Sequence, residues 1–163
     1  MENVYLGFNI DNKLFGITAD AVIRVSQIVE ITSVPKSPKV IKGIINVMGQ
    51  IVPVVDIRYQ LNFPEREFRL TDYLIIFRAL GKTLSFVVDG IVGLIPGLVD
   101  HDVPLNTIIG DSPLIERVIK HGDGFIMIVN PQKILSLKEG KSIENLIDGQ
   151  NEHVFQKYTQ ISA

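Results

Sequence analysis

The stretch Ile41-Lys42-Gly43-Ile44-Ile45-Asn46-Val47-Met48-Gly49-Gln50-Ile51-Val52-Pro53-Val54-Val55-Asp56 decides the fold. Two runs rich in β-branched residues, Ile44 to Val47 and Gln50 to Val55, flank Met48-Gly49, and glycine supplies the positive φ that a tight hairpin turn often needs. Pro53 lies inside the returning run. It has no N–H to give to a ladder, so the strand is predicted to be an edge there or to carry a bulge. Asp56 suits the cap of a short helix that buries Ile57 and Leu61 at i, i+4. Upstream, Ser37, Pro38 and Gly43 carry the cap, first-turn and left-handed exit signals of a one-turn helix.

The same period of two extends in both directions. Val4, Leu6, Phe8 and Ile10 alternate with Tyr5, Gly7 and Asn9, and a turn at Asp11-Asn12-Lys13 leads back through Leu14 to Ile17. A longer burst sets Ile23, Val25, Val29 and Ile31 on one face and Val22, Arg24, Ser26 and Glu30 on the other. Asn62 to Thr71, with Pro64 and charges around Phe68, interrupts the pattern as a solvated connector. Strands resume at Tyr73 to Ala79, turn at Gly81-Lys82, continue through Leu84 to Val88, and bend at Asp89-Gly90 into Ile91 to Ile95. Pro96 to Pro113 is Gly- and Pro-rich and is predicted to be a long surface loop. A last hairpin, Ile115 to Lys120 and Phe125 to Val129, closes around His121-Gly122-Asp123-Gly124. Asn130-Pro131 opens a short helix carrying Ile134 and Leu135. In the tail Ser142 is the expected cap of a helix with Ile143, Leu146 and Ile147 as its apolar stripe and Gly149 as its stop. Val154, Phe155, Tyr158 and Ile161 repeat roughly every turn beyond it. About ten short strands, with helices only at junctions, predict an all-β barrel or sandwich architecture.

Composition narrows the function. The 163 residues are 46% hydrophobic and 21% charged, enough apolar material for a packed interior. A formal charge of −2, with no Lys/Arg run, argues against nucleic acid as a partner. With no cysteine there is no disulfide, thiolate nucleophile or Cys-ligated metal. The first residues lack a basic n-region, and no uninterrupted apolar run approaches the ~18 residues of a membrane span. A cytoplasmic protein without membrane insertion is therefore expected.

Reactive chemistry is not legible. His101, His121 and His153 fall in no metal-binding spacing, so no metal is expected. Gly122-Asp123-Gly124 opens a strand rather than a helix, and no phosphate-binding GxxxxGK[ST] occurs, so no cofactor is expected. Ser85 is mid-strand, Ser112 precedes a proline, and no G-x-S-x-G frame exists. Asp56 and Asp89 each sit where a cap or turn needs a carboxylate. The feature that does stand out is apolar surplus on both faces of strands, at Ile44-Ile45, Val54-Val55 and Ile75-Ile76. That surplus must lie between two sheets or in patches that meet partners, which favours a non-enzymatic binding module.

Ile31-Thr32, Val34-Pro35, Pro38, Ile41 to Asn46, Gly49, Ile51 and Pro53 to Arg58 resemble the signature block of CheW-like chemotaxis adaptors. Val87-Val88-Asp89-Gly90, Gly124 with Met127 to Asn130, and Phe8 with Phe15-Gly16-Ile17 extend the resemblance over about residues 4 to 137. The motif positions Gly43, Asn46, Gly49, Pro53, Asp56, Asp89 and Gly90 are structural in that reading.

The resemblance implies a CheW-like domain over residues 1–137, built as two five-stranded SH3-like barrels sharing an apolar core, and a partly helical tail over 138–163. It implies scaffolding without catalysis: the chain would couple the cytoplasmic tip of methyl-accepting chemoreceptors to the regulatory domain of a CheA-type histidine kinase. The receptor tip, a helical hairpin, would lie in an apolar groove between the barrels, with Val22, Arg24, Met48, Leu74, Ser85 and Ile91 as groove candidates. The lack of a response-regulator segment after residue 137 favours the stand-alone over the fused CheV type. One departure stands out. The family turn usually reads Asn-Leu-Arg-Gly, whereas this chain has Asn46-Val47-Met48-Gly49, replacing a bidentate cation by a flexible apolar contact. Two explanations compete, a divergent adaptor with its own receptor or an adaptor that no longer joins a kinase array, and the first is the expectation because Gly49 and Pro53 of the hairpin remain. An adaptor of a pilus or surface-motility pathway, or a small-ligand-binding β-barrel with its site in Pro96 to Pro113, is the alternative.

Overall fold

The computed structural model describes residues 3–97, 102–103, 114–136 and 138–148. The strands are β1 (Val4–Ile10), β2 (Lys13–Thr18), β3 (Val22–Gln27), β4 (Ile41–Val47), β5 (Gln50–Val55), β6 (Tyr73–Ala79), β7 (Lys82–Val88), β8 (Gly90–Pro96), β9 (Asp102–Val103), β10 (Ile115–His121) and β11 (Gly124–Val129). A single helical turn, α1 (Ile57–Gln60), follows β5, and a longer helix, α2, spans 138–148. The strands form two mixed sheets, one of six in the order β8-β1-β2-β11-β10-β9 and one of five in the order β3-β6-β7-β5-β4. The expected pair of five-stranded units is thus corrected to six and five, because the two-residue β9 adds an edge to the first sheet.

The expected hairpin turns are present, with the backbone in the left-handed region at Asp11-Asn12, Met48-Gly49 and Leu80-Gly81. The last lies one residue before the Gly81-Lys82 turn expected. At Met48 and Gly49 φ is 52° and 85°, and the Asn46 side-chain oxygen accepts from the Gly49 N–H at 2.8 Å. Pro53 sits opposite Ile44, whose N–H and carbonyl both turn outward to Thr32 at 2.9 Å, so no N–H is asked of the proline. On its other side the ladder to β7 is confined to Val54 and Val55, so the strand is unpaired there at Pro53, as expected.

Four local expectations are corrected. No helix forms at Ser37 to Gly43. Gly43 lies within β4, and a Cβ there would run into the Thr32 carbonyl, so close approach rather than a helix exit explains the glycine. In β3 a bulge between Val22 and Arg24 makes Ile23 the extra residue, placing Val22 and Val25 on one face and leaving Ile23 exposed. The connector 62–71 is more than a solvated loop, since Arg66 and Glu65 make ion pairs. Helix α2 is capped by Ser136 rather than Ser142. Ser136 Oγ accepts from the Glu139 N–H at 3.1 Å while Glu139 accepts from the Ser136 N–H at 2.8 Å, and Ser142 donates back to the Lys138 carbonyl. Asn130 caps the turn Pro131–Lys133 as expected. Most of Pro96 to Pro113, with His101 and Ser112, and the segment holding His153, Val154, Phe155, Tyr158 and Ile161 lie outside the described residues.

Strands apolar on both faces feed three clusters. Phe8, Phe15 and Ile17 of the first sheet meet Ile75, Phe77, Phe86 and Val88 of the second in a shared core, which Ile143 of α2 completes. Tyr5, Ile95, Ile119, Ile126 and Ile128 fill the other face of the first sheet. Ile45, Val52, Val54, Leu74 and Val87 fill that of the second. The surplus seen at Val54-Val55 is thereby split, Val54 inward to its own sheet and Val55 to the shared core.

Candidate functional site

The two sheets are joined by side chains, not by a ladder, so their edges leave a seam over the shared core. One rim is β3, where Val22 lies opposite Phe77 and Val25 opposite Ile75. The other is β8, where Ile91 lies opposite Phe8 and Leu94 opposite Leu6. Val22, Val25 and Ile91 are partly buried against the shared core, while Leu94 is 70% exposed. The turn Ala19–Ala21 that leads into β3 touches both β1 and β6, setting β3 beside the first sheet.

The structure divides the six groove candidates. Val22 and Ile91 pack on the same core at the seam. Arg24 is exposed on the opposite face of β3, across from Ile76. Leu74 and Ser85 are fully buried on that same face of the second sheet, and Ser85 Oγ donates to the Pro53 carbonyl at 2.9 Å. Met48 is 92% exposed at the β4–β5 turn, in an open cleft with Ile51, Arg78, Lys82 and Ile147 of α2. Val25 and Leu94 were missed from the sequence. Leu94 could have been found from its register with Leu6, and Val25 from its place on the apolar face of the alternation, where the bulge sets Val22 beside it in place of Ile23.

The sequence also hid an ion cluster at one end of the seam. Asp89 accepts from the Asp11 N–H at 2.9 Å, from Arg58 Nη2 at 2.9 Å and from Arg66 Nη2 at 2.6 Å. Arg58 reaches Asp11 at 2.7 Å, and Arg66 grips the buried Asp72 through both nitrogens. Burial works against the Asp89 charge, but the Asp11 N–H and the two guanidiniums outweigh it and hold the carboxyl below its ordinary range. Asp89 is therefore an ion-pair hub rather than a simple turn residue. Asp56 caps α1 as expected, accepting from the Tyr59 N–H, and Lys42 bridges it to Glu65. Gly90 follows the hub, opposite Asn9.

Among the described residues no group of three His, Asp or Glu side chains is placed to hold a metal ion, and no helix is long and apolar enough to cross a membrane. Among the described residues, fold and seam define a two-sheet β module with apolar side chains along the opening between its sheets. The chain belongs to the CheW-like domain family, whose model matches residues 4–139. It is similar to the chemotaxis protein CheW of Treponema pallidum, 24% identical over 146 residues, or 85% of each chain. It is also similar to that of Thermotoga maritima, 31% identical over 90 residues, or 55% of this chain and 59% of the relative. Among solved structures it resembles the scaffolding protein TtCheW from Thermoanaerobacter tengcongensis, with a TM-score of 0.77, 26% identity and coverage of 85% of this chain and 96% of that one.

Proposed function

We propose that this chain is a non-enzymatic, cytoplasmic scaffold that couples methyl-accepting chemoreceptors to a CheA-type histidine kinase in chemotaxis signalling. The observation that carries the reading is the seam: in a member of the CheW family, Val22, Val25, Ile91 and Leu94 border an apolar core left partly open between two sheets. A helical hairpin presents apolar residues at i, i+3 and i+4, which suits such a groove. In this reading the sheets act as SH3-like barrels, the second drawn toward closure by the Thr32–Ile44 bridge. Val22 and Ile91 would touch the receptor tip, Arg24 and Met48 would contact partners from exposed positions, and Leu74 and Ser85 would support the surface from beneath. The CheW-like unit covers 1–137, and the segment 138–163 begins with a helix docked through Ile143.

Calorimetric titration with the isolated regulatory domain of a CheA kinase from the same source tests the adaptor role. Association with a Kd of about 1 μM or tighter, some −8 kcal/mol, is expected. Absence of binding at high concentration means the fold has been kept while the partner has changed.

A further inference from the structure

We propose that a groove on the outer side of the second sheet is the contact through which two copies of this chain associate. Its walls come from two connectors. Val29 and Glu30, beyond the end of β3, form one, and Phe68, Arg69 and Leu70, ahead of β6, form the other. Ile28 and Ile31 also line it. They pack on the cluster of Ile45, Val52 and Leu74 rather than on the shared core, so the groove lies on the face of the sheet turned away from the seam. Three large apolar side chains stand open there: Leu70 is 93% exposed, Val29 47% and Phe68 40%. Apolar side chains gathered on a surface in this way mark a contact.

The groove is held ready. Arg69 donates its N–H to Asp72 Oδ2 at 2.7 Å, and Asp72 returns its own N–H to the Arg69 carbonyl at 3.0 Å, which closes the turn that carries Leu70. Asp72 is buried and gripped by Arg66, and its carbonyl accepts from the Ile28 N–H, joining one wall to the other. Little backbone is left to order on binding. Charge then says what fits. Glu30 stands on one wall and Arg69 on the other, both exposed, and among the described residues neither makes an ion pair. An apolar centre with one charge of each sign on opposite sides is complementary to itself. A two-fold axis through the groove sets Arg69 of each copy against Glu30 of the other. The formal charge of −2 does little to hold two copies apart. The patch is far smaller than the roughly 20–30 residues a side of a stable complex, so the pairing is weak and depends on concentration.

Sedimentation equilibrium of the full chain is the test. The mass is expected to rise from that of one chain toward that of two between about 10 and 300 μM, as for a Kd of about 100 μM. Leu70→Asp is expected to keep the single-chain mass throughout. Arg69→Glu and Glu30→Arg each set like charges across the axis, and each alone should weaken the pairing by about tenfold or more. Mixed in equal amounts, these two variants again oppose unlike charges at both positions, and the mass should rise as in the wild type. All three positions are exposed, so an unchanged far-UV circular dichroism spectrum is expected and separates loss of pairing from loss of fold. A wild type that stays a single chain overturns the proposal, as does pairing that survives Leu70→Asp. A mixture no more associated than its components overturns it equally. A chain that stays single while Leu70→Asp lowers its affinity for the CheA regulatory domain would give the groove to the kinase instead.

Discussion

The rings of Phe8 and Phe86 lie 5.4 Å apart at an interplanar angle of 52°, one from each sheet. Phe15 extends the stack on one side at 5.8 Å and Phe77 on the other at 5.2 Å, and all four side chains are fully buried. Among the described residues no ladder crosses between the sheets, so these buried contacts carry much of the packing that joins the two halves.

Phe86→Ala is therefore expected to destabilise the whole chain, by about 3–5 kcal/mol. Urea unfolding followed by circular dichroism should remain a single transition with a lower midpoint. Hydrogen exchange should then show protection lost in both sheets. Loss confined to β6 and β7 would mean that the sheets are stabilised separately.

Two glycines of the motif should respond differently to alanine. Gly43→Ala pushes a methyl into the Thr32 carbonyl, a backbone atom that cannot swing away, and overpacking of this kind costs about 1–3 kcal/mol. Gly49→Ala meets open space and bears only the left-handed φ of 85°, about 1 kcal/mol. A larger fall in urea midpoint for Gly49→Ala than for Gly43→Ala would contradict the close-approach account.

Acid should weaken the cluster at Asp89. Its folded carboxyl titrates below the ordinary value, so its contribution is complete above about pH 4 and is lost as pH falls through the lower folded value. The wild-type urea midpoint should drop steeply below that point. Asp89→Asn should start lower and show a shallower acid limb, and parallel limbs would exclude Asp89 as a contributor.

The cap of α2 predicts a local effect. Ser136→Ala removes one half of a reciprocal capping box and should cost about 1 kcal/mol. Ser142→Ala, inside the helix, should be near neutral. Amide exchange in 138–148 distinguishes them, and equal effects would argue against the box.

Met48→Arg restores the family's usual turn residue at a side chain that touches little, so stability should change by less than about 0.5 kcal/mol. If the substitution redirects receptor choice, calorimetry should show altered affinity for a receptor-tip hairpin from the same source. No measurable affinity for either form, with any such tip, would rule out a divergent receptor contact.

Much of the architecture was legible because it is local. Alternating Leu6, Phe8 and Ile10, glycine or asparagine at positive φ, and Asp56 before an apolar turn each act within a few residues, and the structure repeats them. Two differences arose where a distant contact decided: Gly43 is glycine because of Thr32, and Ile23 is extruded because Val22 and Val25 both pack on the shared core. The third is local, since Ser136 and Glu139 form the capping box three residues apart while Ser142, also a good cap by type, lies inside the helix.

By itself, then, the sequence determined the strands, their turns and the family signature, because period two and turn chemistry are properties of short segments. Only the tertiary structure decided which apolar face meets which, where the seam lies, and that Asp11, Arg58, Arg66, Asp72 and Asp89 converge. The first two of these are 47 residues apart (58 minus 11). Charge pairing at that range leaves no periodic trace in a single chain, so it emerges only when packing brings the carriers within hydrogen-bond distance.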